Sequence, residues 1–335
     1  MAGDEKRRAP RMWGFWTKQK LSILADYLAA FGKASQSARR TLYLDLFAGQ
    51  DRNLSRETGE PISGSPRVAL DAQPPFTKLV FFELPGKAEG LRRELSSSYE
   101  DRDFEVVSGD CNKMIFPVLN RLAADGWDLA PTFAFLDQYA AEIRWSTLEA
   151  LARFKRPGKT KAELWMLFAP SMLPRGLASK DVEAAQRFAR RITDMYGTDE
   201  WQVAYRDRRS GRLSAERLRD ELLNLMRWRI ETVLGYEATH AFGLRSATGV
   251  PLYSMIFATD HEAGERIMSH LYGKAVAEQP QMRAEALARL EDERDAKAGR
   301  LGLFDAIPRQ LGPLPPYRHE PPQAPYWLSP SGQSR

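Results

Sequence analysis

The sequence predicts an α/β fold built on a doubly wound, mostly parallel sheet, and three observations carry that. Short β-prone runs, each nearly continuous in apolar residues, recur through the first half of the chain. Segments of helical period lie between them. The 335 residues are 43% apolar and 28% charged, enough to bury the core of one large domain or two modest ones. Strands covered on both faces read as unbroken apolar runs, and alternation with helices supplies the cover.

Residues 1–12 are charged and aperiodic and read as a flexible arm. From Trp13 to Lys33, Trp16, Leu21, Ile23, Leu24, Tyr27, Leu28 and Phe31 recur at helical spacing. The period then changes at the short run Thr41–Phe47, which meets the turn signal Ala48-Gly49. Further runs follow at Lys78–Glu83, Phe104–Gly109, Thr132–Asp137 and Glu163–Phe168. Helical segments Arg67–Ala72, Gly86–Tyr99, Asn112–Ala124 and Ser146–Phe154 separate them. A late run, Leu252–Thr259, suits an antiparallel edge strand, and ahead of it, about 179–236, lies a helical insertion dense in arginine. Together these make one α/β domain over 13–275. Residues 276–335 read as a solvated helix, Glu278–Arg300, and a proline-rich tail from Pro308 that is extended along the surface or disordered.

Composition excludes several classes. No stretch approaches the roughly 20 consecutive apolar residues of a membrane-spanning helix, so no membrane association is expected. The basic N-terminus has no apolar segment behind it and does not read as a secretory signal. One cysteine makes no disulfide framework, and four histidines are scattered without ligand spacing. No metal site is therefore expected, and a reducing cytoplasm is the natural compartment. The net charge of +5 permits nucleic acid without requiring it.

In an open parallel sheet, ligands bind beyond the carboxyl ends of the strands, where the strand order reverses. The runs end in Asp45-Leu-Phe-Ala-Gly49, Phe82-Glu83, Ser108-Gly-Asp110 and Leu136-Asp-Gln-Tyr139, so successive strands set an acid at one rim. One acid there is an ordinary turn former; the series asks for more. A carboxylate closing the second strand suits ribose hydroxyls, and glycine in the first loop lets the backbone pass close to a ligand. Neither G-x-G-x-x-G nor G-x-x-x-x-G-K-[ST] occurs, which disfavours a pyrophosphate or a nucleoside triphosphate. S-adenosylmethionine, with its cationic sulfonium and amino acid end, suits an acid-lined rim.

The series Asp45-x-Phe47-Ala-Gly49, Gly64-Ser65-Pro66 opening a helix, Phe81-x-Glu83, Gly109-Asp110-Cys111-Asn112, Phe135-Leu136-Asp137 and Pro251-Leu252-Tyr253 resembles the three-Cys-motif partner (TcmP) family over roughly Trp13 to Tyr272. The resemblance implies a bacterial protein with a class I methyltransferase-like, Rossmann-like core and a radical-SAM-like three-cysteine partner. It implies that Asp45, Phe47 and Gly49 form the first cofactor loop, that Glu83 holds the ribose hydroxyls, and that Asp110 accepts from the adenine amino group. Asp137 stands where amino-group methyltransferases carry [DN]-P-P-[YF]. There the carboxylate or amide orients the target amine, and the ring, here Tyr139, stacks on a base flipped out of any duplex. Gln50-Asp51 stand where the family continues with glycine or proline, and Gln138-Tyr139-Ala140 replace Pro-x-Gly. Both loops are expected to be loosened or reshaped, and the first to crowd the cofactor.

The first function expected is S-adenosylmethionine-dependent methylation of nucleic acid or a nucleoside-like group. The alternative is a non-catalytic methyltransferase-like subunit that docks its partner on nucleic acid or a shared substrate; Gln50 and Asp51 filling the methionine pocket would favour it. A third class is a nuclease-like enzyme holding Mg²⁺ on the rim acids. Within the insertion, Arg208, Arg209, Arg227 and Trp228 are candidates for nucleic-acid contact, against the plainer reading of a mixed-charge solvated helix. Cys111 lacks an activating neighbour and reads as a small buried residue. His240, His261 and His270 read as core or surface histidines. Arg300-Leu301-Gly-Leu-Phe304 resembles the sliding-clamp-binding pentapeptide Q-L-x-L-F, but packing of Leu303 and Phe304 back onto the domain is preferred, since exposed apolar pairs find cover.

Overall fold

In the computed structural model, which describes residues 12–56, 59–298 and 311–328, a short strand β1 (Met12–Trp13) leads into helix α1 (Phe15–Ala34). Leu21, Leu24, Leu28 and Phe31 line the buried stripe of α1, as their spacing demands. The first strand of the main sheet, β2 (Leu42–Asp45), is buried at every position. After β3 (Arg52–Ser55) and β4 (Pro61–Ser63), the chain alternates α2 (Ser65–Leu70), β5 (Lys78–Glu83), α3 (Pro85–Ser96), β6 (Phe104–Ser108), α4 (Cys111–Ala124), β7 (Thr132–Leu136), α5 (Trp145–Arg153) and β8 (Glu163–Phe168). The insertion follows as α6 (Leu173–Leu177), α7 (Val182–Tyr196), α8 (Trp201–Arg209) and α9 (Ala215–Thr232). Then come β9 (Ala238–Arg245), β10 (Pro251–Thr259) and α10 (Glu262–Lys297).

The main sheet has seven strands in the order β6-β5-β2-β7-β8-β10-β9. The first five in chain order run parallel, and β10 is antiparallel to both β8 and β9. Counted within this sheet, the order is 3-2-1-4-5-7-6, a doubly wound, methyltransferase-like Rossmann arrangement. Alternate residues of each strand feed two cores. Leu42, Leu44, Val80 and Met166 face α4, α5 and the insertion, whereas Tyr43, Phe81, Phe133, Phe135 and Trp165 face α1 and α10. Glu163 is buried on that second face, accepting from Tyr27 Oη at 2.6 Å and Thr259 Oγ1 at 2.8 Å. Burial pushes its pKa up to about 7.

Several expectations change. The late strand is antiparallel but internal, because β9 pairs along its outer side and takes the edge. A small second sheet, ordered β1-β3-β4, takes in Met12, the last residue of the expected arm. Helix α10 runs unbroken across the expected boundary at 275/276. Residues 311–328 lie along the surface: Tyr317 Oη sits 3.0 Å from His240 Nδ1, Glu320 O accepts from Arg227, and Tyr326 Oη donates to Asp207. The pentapeptide Arg300–Phe304 lies outside the described residues. No helix among the described residues is long and apolar enough to cross a membrane.

Candidate functional site

The strand order reverses between β2 and β7, and beyond the carboxyl ends of β2, β5, β6 and β7 lies a crevice of ≈ 490 Å³. That volume falls within the span of small-molecule sites. Phe47, Gly49, Glu83, Asp110, Asp137 and Tyr139 all line it, so the structure brings these expected residues together.

Asp45 does not reach the crevice wall. It is fully buried, and its Oδ1 accepts from the Phe47 N–H at 3.2 Å, shaping the first loop from beneath. Burial, with the charges of Asp137 and Glu83 adding to it, pushes its pKa up to about 7. Its expected part in cofactor binding is thus corrected to supporting the loop.

Gly49 adopts φ +70°, a left-handed conformation that glycine takes without strain. Its N–H donates to Glu83 Oε2 at 2.7 Å, while Glu83 Oε1 accepts from the Leu84 N–H at 2.8 Å. Glu83 therefore braces the first loop against the start of α3, and each oxygen keeps a further lone pair for a ligand. Asp110 caps α4, its Oδ1 accepting from the Asn112 N–H and Nδ2 at 3.0 Å each. Its Oδ2 makes no hydrogen bond among the described residues.

The first loop does not crowd this space. Neither Gln50 nor Asp51 lines the crevice. Arg67 Nε, on α2, donates to Asp51 Oδ2 at 2.7 Å, and the Gly64 N–H donates to Asp51 O at 2.7 Å. A Cβ on Gly64 would sit 2.1 Å from Gln50 O, so glycine there lets the loop close against α2. The loop turns into the small sheet instead of into the crevice.

The loop after β7 is not loosened either. Gln138 is buried; its Oε1 accepts from the N–H groups of Glu142 at 2.9 Å and Ile143 at 3.0 Å, and its Nε2 donates to Leu167 O at 3.1 Å. A side chain does here what proline would have done through φ. Asp137 pairs with Nζ of Lys20, a buried lysine on α1 lying between the Phe135 and Tyr253 rings, 6.0 and 5.9 Å from their centroids. Tyr139, 74% exposed, stands at the mouth. The insertion borders the crevice: Arg191 Nη2 donates to Glu142 Oε1 at 2.7 Å, and Arg191 and Asp194 line it.

Lys20 and Arg191 are not among the expected site residues, and Gln138 is expected only as a departure that loosens or reshapes its loop. Lys20 carried a signal, since it falls in phase with Leu24, Tyr27 and Phe31 on the buried stripe of α1. Of the nucleic-acid candidates, Arg208 and Arg209 are exposed on α8 and Trp228 is half-buried against the core. Arg227 is a correction. Its guanidinium donates to Thr239 Oγ1 at 3.1 Å, Thr239 O at 2.6 Å and Glu320 O at 2.7 Å, so it ties α9 to β9 and the tail. Cys111 is buried, and burial followed by the nearby Asp110 charge pushes its thiol up to about 12, which removes it as a nucleophile.

No protein-family model matches the chain, and no curated protein does. One solved structure that matches is TYW2 of M. jannaschii in complex with AdoMet, at 9% identity and a TM-score of 0.32, over 74% of this chain and 77% of that one. The fold stands on the strand order itself.

Proposed function

We propose that the chain is an S-adenosylmethionine-dependent methyltransferase acting on nucleic acid or a nucleoside-like group, with the crevice as its cofactor site. The observation that carries this reading is the first loop: Asp51 and Arg67 hold it outward, leaving an open, acid-rimmed crevice at the switch point. The residues present fit the cofactor. Glu83 offers lone pairs to ribose hydroxyls, Asp110 Oδ2 offers an acceptor to the adenine amino group, and Phe47, Leu84 and Ile143 give apolar walls. When bound, S-adenosylmethionine supplies an activated methyl group for in-line transfer.

The chain's own residues hold and orient. Asp137, tethered by Lys20, accepts a hydrogen bond from the target amine, and Tyr139 stacks on the base at the mouth. Arg208 and Arg209 meet phosphates on the insertion side. A radical-SAM-like three-cysteine protein is the partner this reading includes, and the cytoplasm its compartment. Calorimetric titration with S-adenosylmethionine and S-adenosylhomocysteine tests it. Micromolar binding that is lost in Glu83→Ala is expected; no binding by the folded wild-type chain would overturn it.

A second reading, the non-catalytic docking subunit, is favoured by one observation: Asp137 is already engaged by a buried lysine. Cofactor binding without methyl transfer to any RNA, DNA or nucleoside acceptor would support it.

A further inference from the structure

Far from the crevice, four strands across the sheet from β2, the tail brings a second histidine against the first residues of β9. The rings of His240 and His319 stack with centroids 4.0 Å apart. Nε2 of His240, a residue only 1% exposed, and Nδ1 of His319 are both buried and have no hydrogen-bond partner among the described residues. Glu265 on α10 places Oε1 3.6 Å from His240 Nε2, and one ligand atom from each of the three residues lies within 4.8 Å of the others. Orphaned buried polar atoms are rare in folded proteins, and two converging on a carboxylate call for an occupant.

We propose that His240, His319 and Glu265 form a binding site for a divalent transition cation of the zinc type, which fastens the C-terminal tail to β9 and α10. The chemistry of the donors suits it, since imidazole and carboxylate are ordinary zinc ligands. Tetrahedral bonds of about 2.0–2.2 Å put neighbouring ligand atoms roughly 3.3–3.6 Å apart, the separation already present between His240 and Glu265. Tyr317 Oη, 3.0 Å from His240 Nδ1, can accept a hydrogen bond from Nδ1–H and so leave the Nε2 lone pair for the site. Arg227 brings a positive charge to both rings, and the carboxylates of Glu265 and Glu231 oppose it at His319. Three protein ligands leave a fourth position open, and the partly exposed Glu265 gives the ion a way in. The histidines expected to be isolated are thus a pair, joined by the tail.

The test uses the full chain without a histidine tag, stripped of metal and titrated with zinc chloride. One saturable equivalent is expected, together with protection of residues 311–328 from proteolysis. His240→Ala and His319→Ala should each weaken zinc binding by at least about tenfold, whereas the double variant His261→Ala/His270→Ala should bind as the wild type does. His319→Ala keeps the test informative if His240→Ala fails to fold, because His319 lies on the tail. Absence of saturable binding, or unchanged affinity in His319→Ala, would overturn the site. Binding without protection of the tail would overturn its fastening role.

Discussion

Arg67 Nε donates to Asp51 Oδ2 at 2.7 Å, with both side chains about nine-tenths buried, and this pair decides which way the first loop faces. Removing the guanidinium leaves the buried Asp51 carboxylate with only the exposed Arg52, 3.8 Å away. Arg67→Met should therefore cost about 3 kcal/mol by urea unfolding, and pairing it with Asp51→Asn should recover most of that. If the pair holds the crevice open, Arg67→Met should also weaken S-adenosylmethionine at least about tenfold.

Gln138 makes four hydrogen bonds, the longest from Nε2 to Met195 Sδ at 3.7 Å, from a position 1% exposed to solvent. Gln138→Ala strands the N–H groups of Glu142 and Ile143 and the carbonyl of Leu167. A loss of about 2–4 kcal/mol is expected by urea unfolding, with amide exchange accelerated at residues 142 and 143.

Tyr139 behaves in the opposite sense. At 74% exposure it contributes little to folding, so Tyr139→Ala should change stability by no more than about 0.5 kcal/mol. Cofactor affinity should stay unchanged while methyl transfer falls at least about tenfold, because only acceptor stacking is lost. An unchanged transfer rate would remove the ring from the mechanism.

Asp45 and Glu163 shape the pH dependence. The Asp45 carboxyl, ordinarily near 3.8, is pushed up to about 7. Between those values the native chain keeps a proton that the unfolded chain has released, so stability falls as pH rises across the window and levels off above it. Glu163, ordinarily near 4.5 and also raised to about 7, acts in the same direction. Thermal midpoints at about pH 5 and pH 8 should drop less in Asp45→Asn than in the wild type, and least in Asp45→Asn/Glu163→Gln.

The parallel strands were legible because burial on both faces writes itself as an apolar run; Glu163–Phe168 appears with the same bounds in sequence and structure. Strand β9 was not, because Thr239, His240 and Gly243 break the run and its partner β10 comes later in the chain. The polar strands β3 and β4 gave no run at all. At the site, the acids showed through because each closes a strand. What each acid touches was hidden: Asp51 needs Arg67 and Asp137 needs Lys20, pairings between segments that only folding brings together.

The internal position of β10 has a consequence for synthesis. Strand β9 leaves the ribosome before β10, yet in the sheet its partner is β10, so it has no seat until the later strand arrives. The apolar flank of β8 likewise waits while residues 169–250 are translated, roughly 4–16 s at typical elongation rates. Helices α7 and α9 emerge within that interval and carry Ile192, Tyr196, Leu222 and Met226 onto the same core as Met166 and Phe168. The insertion that borders the crevice is thus translated before the last strand of the sheet whose one face it covers.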